Sequence, residues 1–316
     1  MSNRTMSRVL AAAATALIAL GAATGCSTGG PAGADPQRVD VVAAFYPLQF
    51  VAERVGGDAV RVTNLAKPGA EPHDLELSPR QVGEITEAEL IVYLKGFQPA
   101  VDEAIAQDDD APVFDVASVQ PLMDASSGGH NHEGDEEGEE GHGHAKDPHV
   151  WLDPIRLATI GDKLAQQLGT VDEKHAADYT ARAAALRADL TTLDGEFTKG
   201  LATCQRREIV TSHTAFGYLA DRYHLDQVGI TGLSPDVEPS PQRLAQVIEE
   251  AKEHHATTIF FEALVSPKVA ETIAGQVGAK TAVLDPIEGL AAGSDADYFS
   301  VMRTNLQTLR TALSCS

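Results

Sequence analysis

Residues 130 to 149 hold five histidines in two kinds of sequence. Four form H-x-H pairs, His130 with His132 and His142 with His144, among glycines and glutamates in "GGHNHEGDEEGEEGHGHA". The fifth, His149, lies in "DPHVWLDP". Imidazole is the commonest metal-binding side chain, so all five are candidate ligands. Their surroundings separate them. Glycines and like charges cannot build a packed core, so the first four are expected on a mobile loop (128–147) that captures metal weakly and releases it quickly. His149 stands between prolines, where neighbouring structure can fix its ring and lower the ordering cost of tight binding.

Whether other ligand-type residues join His149 depends on the elements that carry them. From residue 38 the chain alternates strand-like and helix-like segments: "RVDVVAAF", "YPLQFVAERVGG", "AVRVTNL", "SPRQVGEITEAE", "LIVYL" and "APVFDV". The same grammar returns after residue 205, with "SPQRLAQVIEEAKEHH" opening on Ser240-Pro241 as the earlier helix opens on Ser78-Pro79. A serine N-cap followed by proline at the first helical position is a helix start. The pattern implies an α/β fold of two similar lobes with mostly parallel sheets. Between them Tyr179, Leu186, Leu190, Leu193, Phe197 and Leu201 fall on one helical face. That predicts one long, stiff helix over 172–201 joining the lobes.

In open parallel sheets, ligands bind at loops after the carboxyl ends of strands. There the sequence places His73 in "AKPGAEPHDLELSP", His149 after the acidic tract, His213 in "REIVTSHTAFGY" and Asp285 in "VLDPIEGL". Two candidates per lobe at equivalent loop positions favour one metal shared in the cleft. The other histidines have plainer roles: His175 and His224 are isolated, and His254-His255 suits a helix C-terminus.

The N-terminus has the form of an export signal. Arg4 and Arg8 precede "VLAAAATALIAL", an apolar run of signal-peptide length. "ATGC" before a Ser/Gly/Pro-rich stretch resembles a lipoprotein processing site with lipid on Cys26. In an exported chain the remaining pair, Cys204 and Cys315, is expected to form a disulfide, worth roughly 4–5 kcal/mol for a loop of that size. A formal net charge of −22 argues against nucleic acid as a partner, since phosphate backbones call for Lys and Arg.

"PGAEPHDLELSP", "DPHVWLDP", "REIVTSHTAFGYLA" and "VLDPIEGL", in that order, resemble the solute-binding proteins of zinc and manganese ABC importers. The resemblance runs from about residue 38 to the end. It implies two lobes joined by a rigid helix, with metal in the cleft held by His73, His149, His213 and Asp285. Glu262, in "IFFEA", is then a supporting residue or a substitute fourth ligand. Some zinc members carry an acid directly before the first histidine; here that position is Pro72, and Glu71 is one residue too early. Three imidazoles and a carboxylate suit tetrahedral Zn²⁺, whereas a manganese site uses more oxygens.

The expected function is therefore capture of Zn²⁺ outside the cytoplasm and delivery to an ABC permease and its ATPase. The expected protein is a monomer held to the membrane by a lipid anchor, exported to the outer face of the cell membrane or the periplasm. The alternatives are a manganese importer component, or a surface zinc buffer or adhesin. A zinc hydrolase is disfavoured: no H-E-x-x-H occurs, and four protein ligands leave no position for a catalytic water. The expected organisation is a signal peptide at 1–25, a tether at 26–37, a first lobe at 38–171, a linking helix at 172–203 and a second lobe at 204–316.

Overall fold

The computed structural model describes residues 38–108, 110–125 and 145–316. The expectations for the signal peptide, Cys26 and its tether, and for His130, His132, His142 and His144, lie outside the described residues.

The first half of the chain runs β1 (Val39–Ala43), α1 (Tyr46–Gly56), β2 (Val60–Asn64), α2 (Pro79–Glu87), β3 (Leu90–Tyr93), α3 (Pro99–Ile105), β4 (Val113–Asp115) and α4 (Val116–Val119). Two long helices follow, α5 (Pro154–Val171) and α6 (Ala176–Gly200). The second half runs β5 (Glu208–Thr211), α7 (Gly217–Tyr223), β6 (Asp226–Gly229), α8 (Pro241–Glu253), β7 (Thr258–Phe261), α9 (Lys268–Val277), β8 (Lys280–Val283) and α10 (Tyr298–Ala312). The strands form two parallel sheets of four, ordered β2-β1-β3-β4 and β6-β5-β7-β8. The orders are the same once the numbers are shifted, so the α/β fold of two similar lobes is what the sequence pattern implied.

The helix starts follow local chemistry. Ser78 caps α2 by accepting from the Gln81 amide, and Gln81 reaches back to the Ser78 amide. Ser240 caps α8 in the same way through the Arg243 amide. The connector is the single long helix expected, with a later start. The predicted span of 172–201 begins at Ala176, because a 3-10 turn over Glu173–His175 separates α6 from α5. Asp172 stabilises that break by accepting from the Tyr179 hydroxyl at 2.8 Å and pairing with His175 at 2.5 Å. The two long helices pack along each other.

Helix α6 is fastened to both halves. Arg182 donates to the Val55 and Gly56 carbonyls at the end of α1, at 2.7 Å each. Glu196 accepts two bonds from Arg303 on α10, at 2.8 and 3.0 Å. Its seam of Tyr179, Leu186, Leu190, Leu193 and Phe197 is buried in a core continuous with Leu90, Trp151, Ile209 and Tyr298. A second core around Val210, Val228, Val247, Ile259 and Ile273 lies on the other face of the second sheet. Ile209 and Val210 divide between the two cores because successive strand residues point to opposite faces. A Cys204–Cys315 disulfide ties the C-terminal end to the entrance of the second lobe, across a sequence separation of 111.

Candidate metal centre

His73, His149, His213 and Glu288 meet between the lobes. His73, His213 and Glu288 arrive on loops beyond the carboxyl ends of strands, as expected for an open parallel sheet, and His149 arrives after β4 and α4. His73 is in the loop after β2. His149 stands directly before a 3-10 turn, Val150–Leu152, that leads into α5. His213 follows β5, and Glu288 follows β8. Two ligand-type residues per lobe converge, but only His149 and Glu288 follow equivalent strands, β4 and β8. His73 follows β2, whereas His213 follows β5, the counterpart of β1.

The geometry is that of a closed four-ligand cage. Glu288 Oε1 lies 3.0 Å from His149 Nε2, 3.2 Å from His213 Nε2 and 3.4 Å from His73 Nε2. The Nε2 atoms of His149 and His213 are 3.3 Å apart. A tetrahedron with metal–ligand bonds of about 2.05 Å has edges of about 3.3 Å. These four of the six edges fit that figure.

In His149 and His213 the nitrogens facing away from the cage are held by carboxylates. Asp147 Oδ1 accepts from the His149 backbone at 2.9 Å and faces its Nδ1 at 2.8 Å. Glu262 Oε1 faces His213 Nδ1 at 2.6 Å and also accepts from the Ser212 hydroxyl. A carboxylate on Nδ1 fixes the tautomer that offers Nε2 to a metal and raises its basicity. The His213 carbonyl accepts from Thr211 Oγ1 at 2.7 Å and Gln227 Nε2 at 3.1 Å, which fixes the backbone beneath the ring. Phe97 and Trp151 wall the site. Phe97 lies 4.6 Å from the His73 ring and Trp151 5.3 Å from the His149 ring, by centroids.

Charge is concentrated here. Burial pushes the His213 imidazole down, but the Glu262 and Glu288 carboxylates outweigh it and leave the pKa raised, at about 10. Burial opposes the charged form of His149 too, and Asp147 with Glu288 again raises it. Burial alone would lift Glu288, yet the three imidazoles hold it well below the usual carboxylate range. Burial, and then the Glu288 charge, push the neighbouring Glu71 carboxyl up to about 9. Glu71 is thus the protonated member of a carboxyl pair at neutral pH.

Asp285, expected as the carboxylate ligand, is not among the four. Its Oδ1 accepts from the Ile287 amide at 2.8 Å, and its backbone exchanges two hydrogen bonds with the Asn305 side chain at 3.0 and 2.7 Å. These contacts build the turn. The same turn carries Ile287 at φ +59°, which swings Glu288 inward, and Trp151 Nε1 donates to the Pro286 carbonyl at 2.7 Å. Glu262 sits behind His213. Glu288 and Asp147 were not expected at the site, although each lies within three residues of a predicted ligand. His175 pairs with Asp172, His224 ends α7 in the left-handed region, and His254 ends α8 beside Glu208 at 2.8 Å.

Known proteins place this cage in a family. The family model "Zinc-uptake complex component A periplasmic" matches residues 41–312. The chain is 36% identical over 286 residues to the zinc-binding protein AdcA of Streptococcus pyogenes serotype M6, covering 86% of this chain and 56% of AdcA. It therefore spans little more than half the length of that relative. It is 34% identical over 294 residues to the high-affinity zinc uptake system protein ZnuA of Bacillus subtilis, covering 91% of each. The solved Zn(II)-bound ZnuA-like domain of Streptococcus pneumoniae AdcA superposes with a TM-score of 0.72 at 32% identity, over 87% of this chain and 99% of that one. A match across both lobes, at this identity, means that the chain belongs to the family of periplasmic zinc-uptake complex component A.

Proposed function

We propose that the protein captures Zn²⁺ outside the cytoplasm as the solute-binding component of an ABC importer, holding it with His73, His149, His213 and Glu288. The observation that carries this is the convergence of three imidazole Nε2 atoms on one Glu288 oxygen, at 3.0 to 3.4 Å. Soft nitrogen donors and tetrahedral spacing favour zinc over manganese, which prefers more oxygen ligands. Four protein ligands leave no open position for a substrate water, so the site binds and does not catalyse.

Each lobe supplies two ligands, and neither pair alone makes a tight site. A permease that draws the lobes apart would halve the coordination and free the ion. In this account the lobes are 38–171 and 204–316, the connector 172–203 keeps them in register, a lipid on Cys26 keeps the monomer at the membrane, and the permease with its ATPase receives the ion. Among the described residues no helix is long and apolar enough to cross a membrane. The test is uptake of radioactive zinc by cells with and without this gene, together with metal analysis of the purified protein. The expected result is one zinc per chain and uptake lost at limiting zinc. Unchanged zinc uptake, or manganese displacing zinc in competition, would contradict it.

A further inference from the structure

The carboxylate behind His149 is pressed into place by the opposite lobe. Asp147 is 4% exposed, and both bonds to its Oδ1 come from His149. Its Oδ2 faces Gly217, the first residue of α7 in the second lobe. A Cβ added at Gly217 would lie 2.5 Å from that oxygen, closer than carbon and oxygen can approach. The next residue, Tyr218, is buried and donates its hydroxyl to the Asp147 carbonyl at 2.8 Å. The same hydroxyl oxygen accepts from the Met123 amide at 2.8 Å, and the Asp147 amide donates to the Met123 carbonyl at 3.0 Å. The Arg156 guanidinium covers the Tyr218 ring at 5.1 Å.

We propose that Gly217 and Tyr218 are positioning residues for the zinc site: the second lobe sets the ring of the first-lobe ligand His149 by bracing Asp147 at both its carboxylate and its carbonyl. This rests on zinc binding by the cage. His149 offers Nε2 to the metal only while its Nδ1–H points at a carboxylate, and loss of such a partner weakens metal binding by about 10- to 100-fold. Because the carboxylate is buried and committed to His149, a side chain at 217 displaces it from His149 rather than into solvent. His149 is then correctly aimed only while the lobes are docked, so parting them weakens a first-lobe ligand as well as separating the two pairs.

Gly217 has no left-handed backbone to protect, since its φ is not among the positive ones. In a helix, alanine is otherwise preferred to glycine. Gly217→Ala therefore separates a structural role from a positioning one. Full-length Gly217→Ala and Tyr218→Phe proteins would be compared with the parent by chelator competition for zinc, by thermal melting without zinc, and by the NMR signal of the His149 Nδ1 proton in the zinc-loaded protein. The parent's own affinity tests the functional assignment separately. The expected result is a loss of zinc affinity of about 10-fold or more for Gly217→Ala, with no matching fall in melting temperature, and an upfield shift of the Nδ1 proton as its bond to Asp147 lengthens. Tyr218→Phe should move the affinity and the proton signal in the same directions and carries the test if the alanine variant does not fold. Affinity within twofold of the parent, or an unmoved Nδ1 proton in a folded variant, would overturn the proposal.

Discussion

Acidification should weaken zinc binding steeply from above neutral pH, and the structure supplies the slope. His149 and His213 must offer unprotonated Nε2 atoms to a metal. Without metal both have raised pKa values, His213 to about 10, because carboxylates surround them. A raised pKa means the proton is held at every pH below it, so competition with zinc operates below the folded pKa and disappears above it. Between pH 6 and 8 His213 therefore releases one proton when zinc binds, and His149, raised above the ordinary imidazole value, releases another wherever the pH lies below its own pKa. One proton changes affinity about tenfold per pH unit, or about 1.4 kcal/mol. The His213 proton alone gives about 100-fold across the interval, and the His149 proton makes the loss steeper towards its acid end. Unperturbed imidazoles would have placed the loss below about pH 6; the carboxylates move it upward. Calorimetry in buffers of different ionisation enthalpy counts the protons, and chelator competition at pH 6, 7 and 8 gives the affinities. Release of fewer than one proton per zinc, or less than tenfold change over that range, would refute the reasoning.

Replacing Cys204 and Cys315 together by serine should lower the unfolding free energy by roughly 4–5 kcal/mol in a denaturant titration, while zinc stoichiometry stays at one. His213→Glu should weaken zinc strongly and narrow its advantage over manganese in calorimetry, because a hard oxygen replaces an imidazole. Removing residues 128–145 should leave the tight site intact and abolish only additional weak sites in equilibrium dialysis, whereas His149→Ala should do the reverse.

Much of this was legible in the residues. Ser78-Pro79 and Ser240-Pro241 marked two helix starts, and the Tyr179 to Phe197 seam marked α6. The exact start of α6, four residues later than expected, was not legible, because the turn ahead of it has neither proline nor glycine and depends on Asp172 holding His175 and Tyr179. Three histidines could be found because His73 and His213 follow strands in short loops and His149 stands in a proline-bounded stretch before a helix. The carboxylate could not be chosen, since "DPIEG" offers both Asp285 and Glu288. The choice is made by Ile287 in the left-handed region, which local preference disfavours for a β-branched residue. Contacts from Trp151 and Asn305, distant in sequence, hold it there.

The central claim is that Glu288 closes the cage and Asp285 only shapes the turn that presents it. Chelator competition on Glu288→Ala and Asp285→Ala, side by side at one pH, tests it most directly. The account predicts a loss of zinc affinity of about 100-fold or more for Glu288→Ala, and about tenfold or less for Asp285→Ala through a loosened turn. The reverse order, or an unchanged affinity in Glu288→Ala, would contradict it.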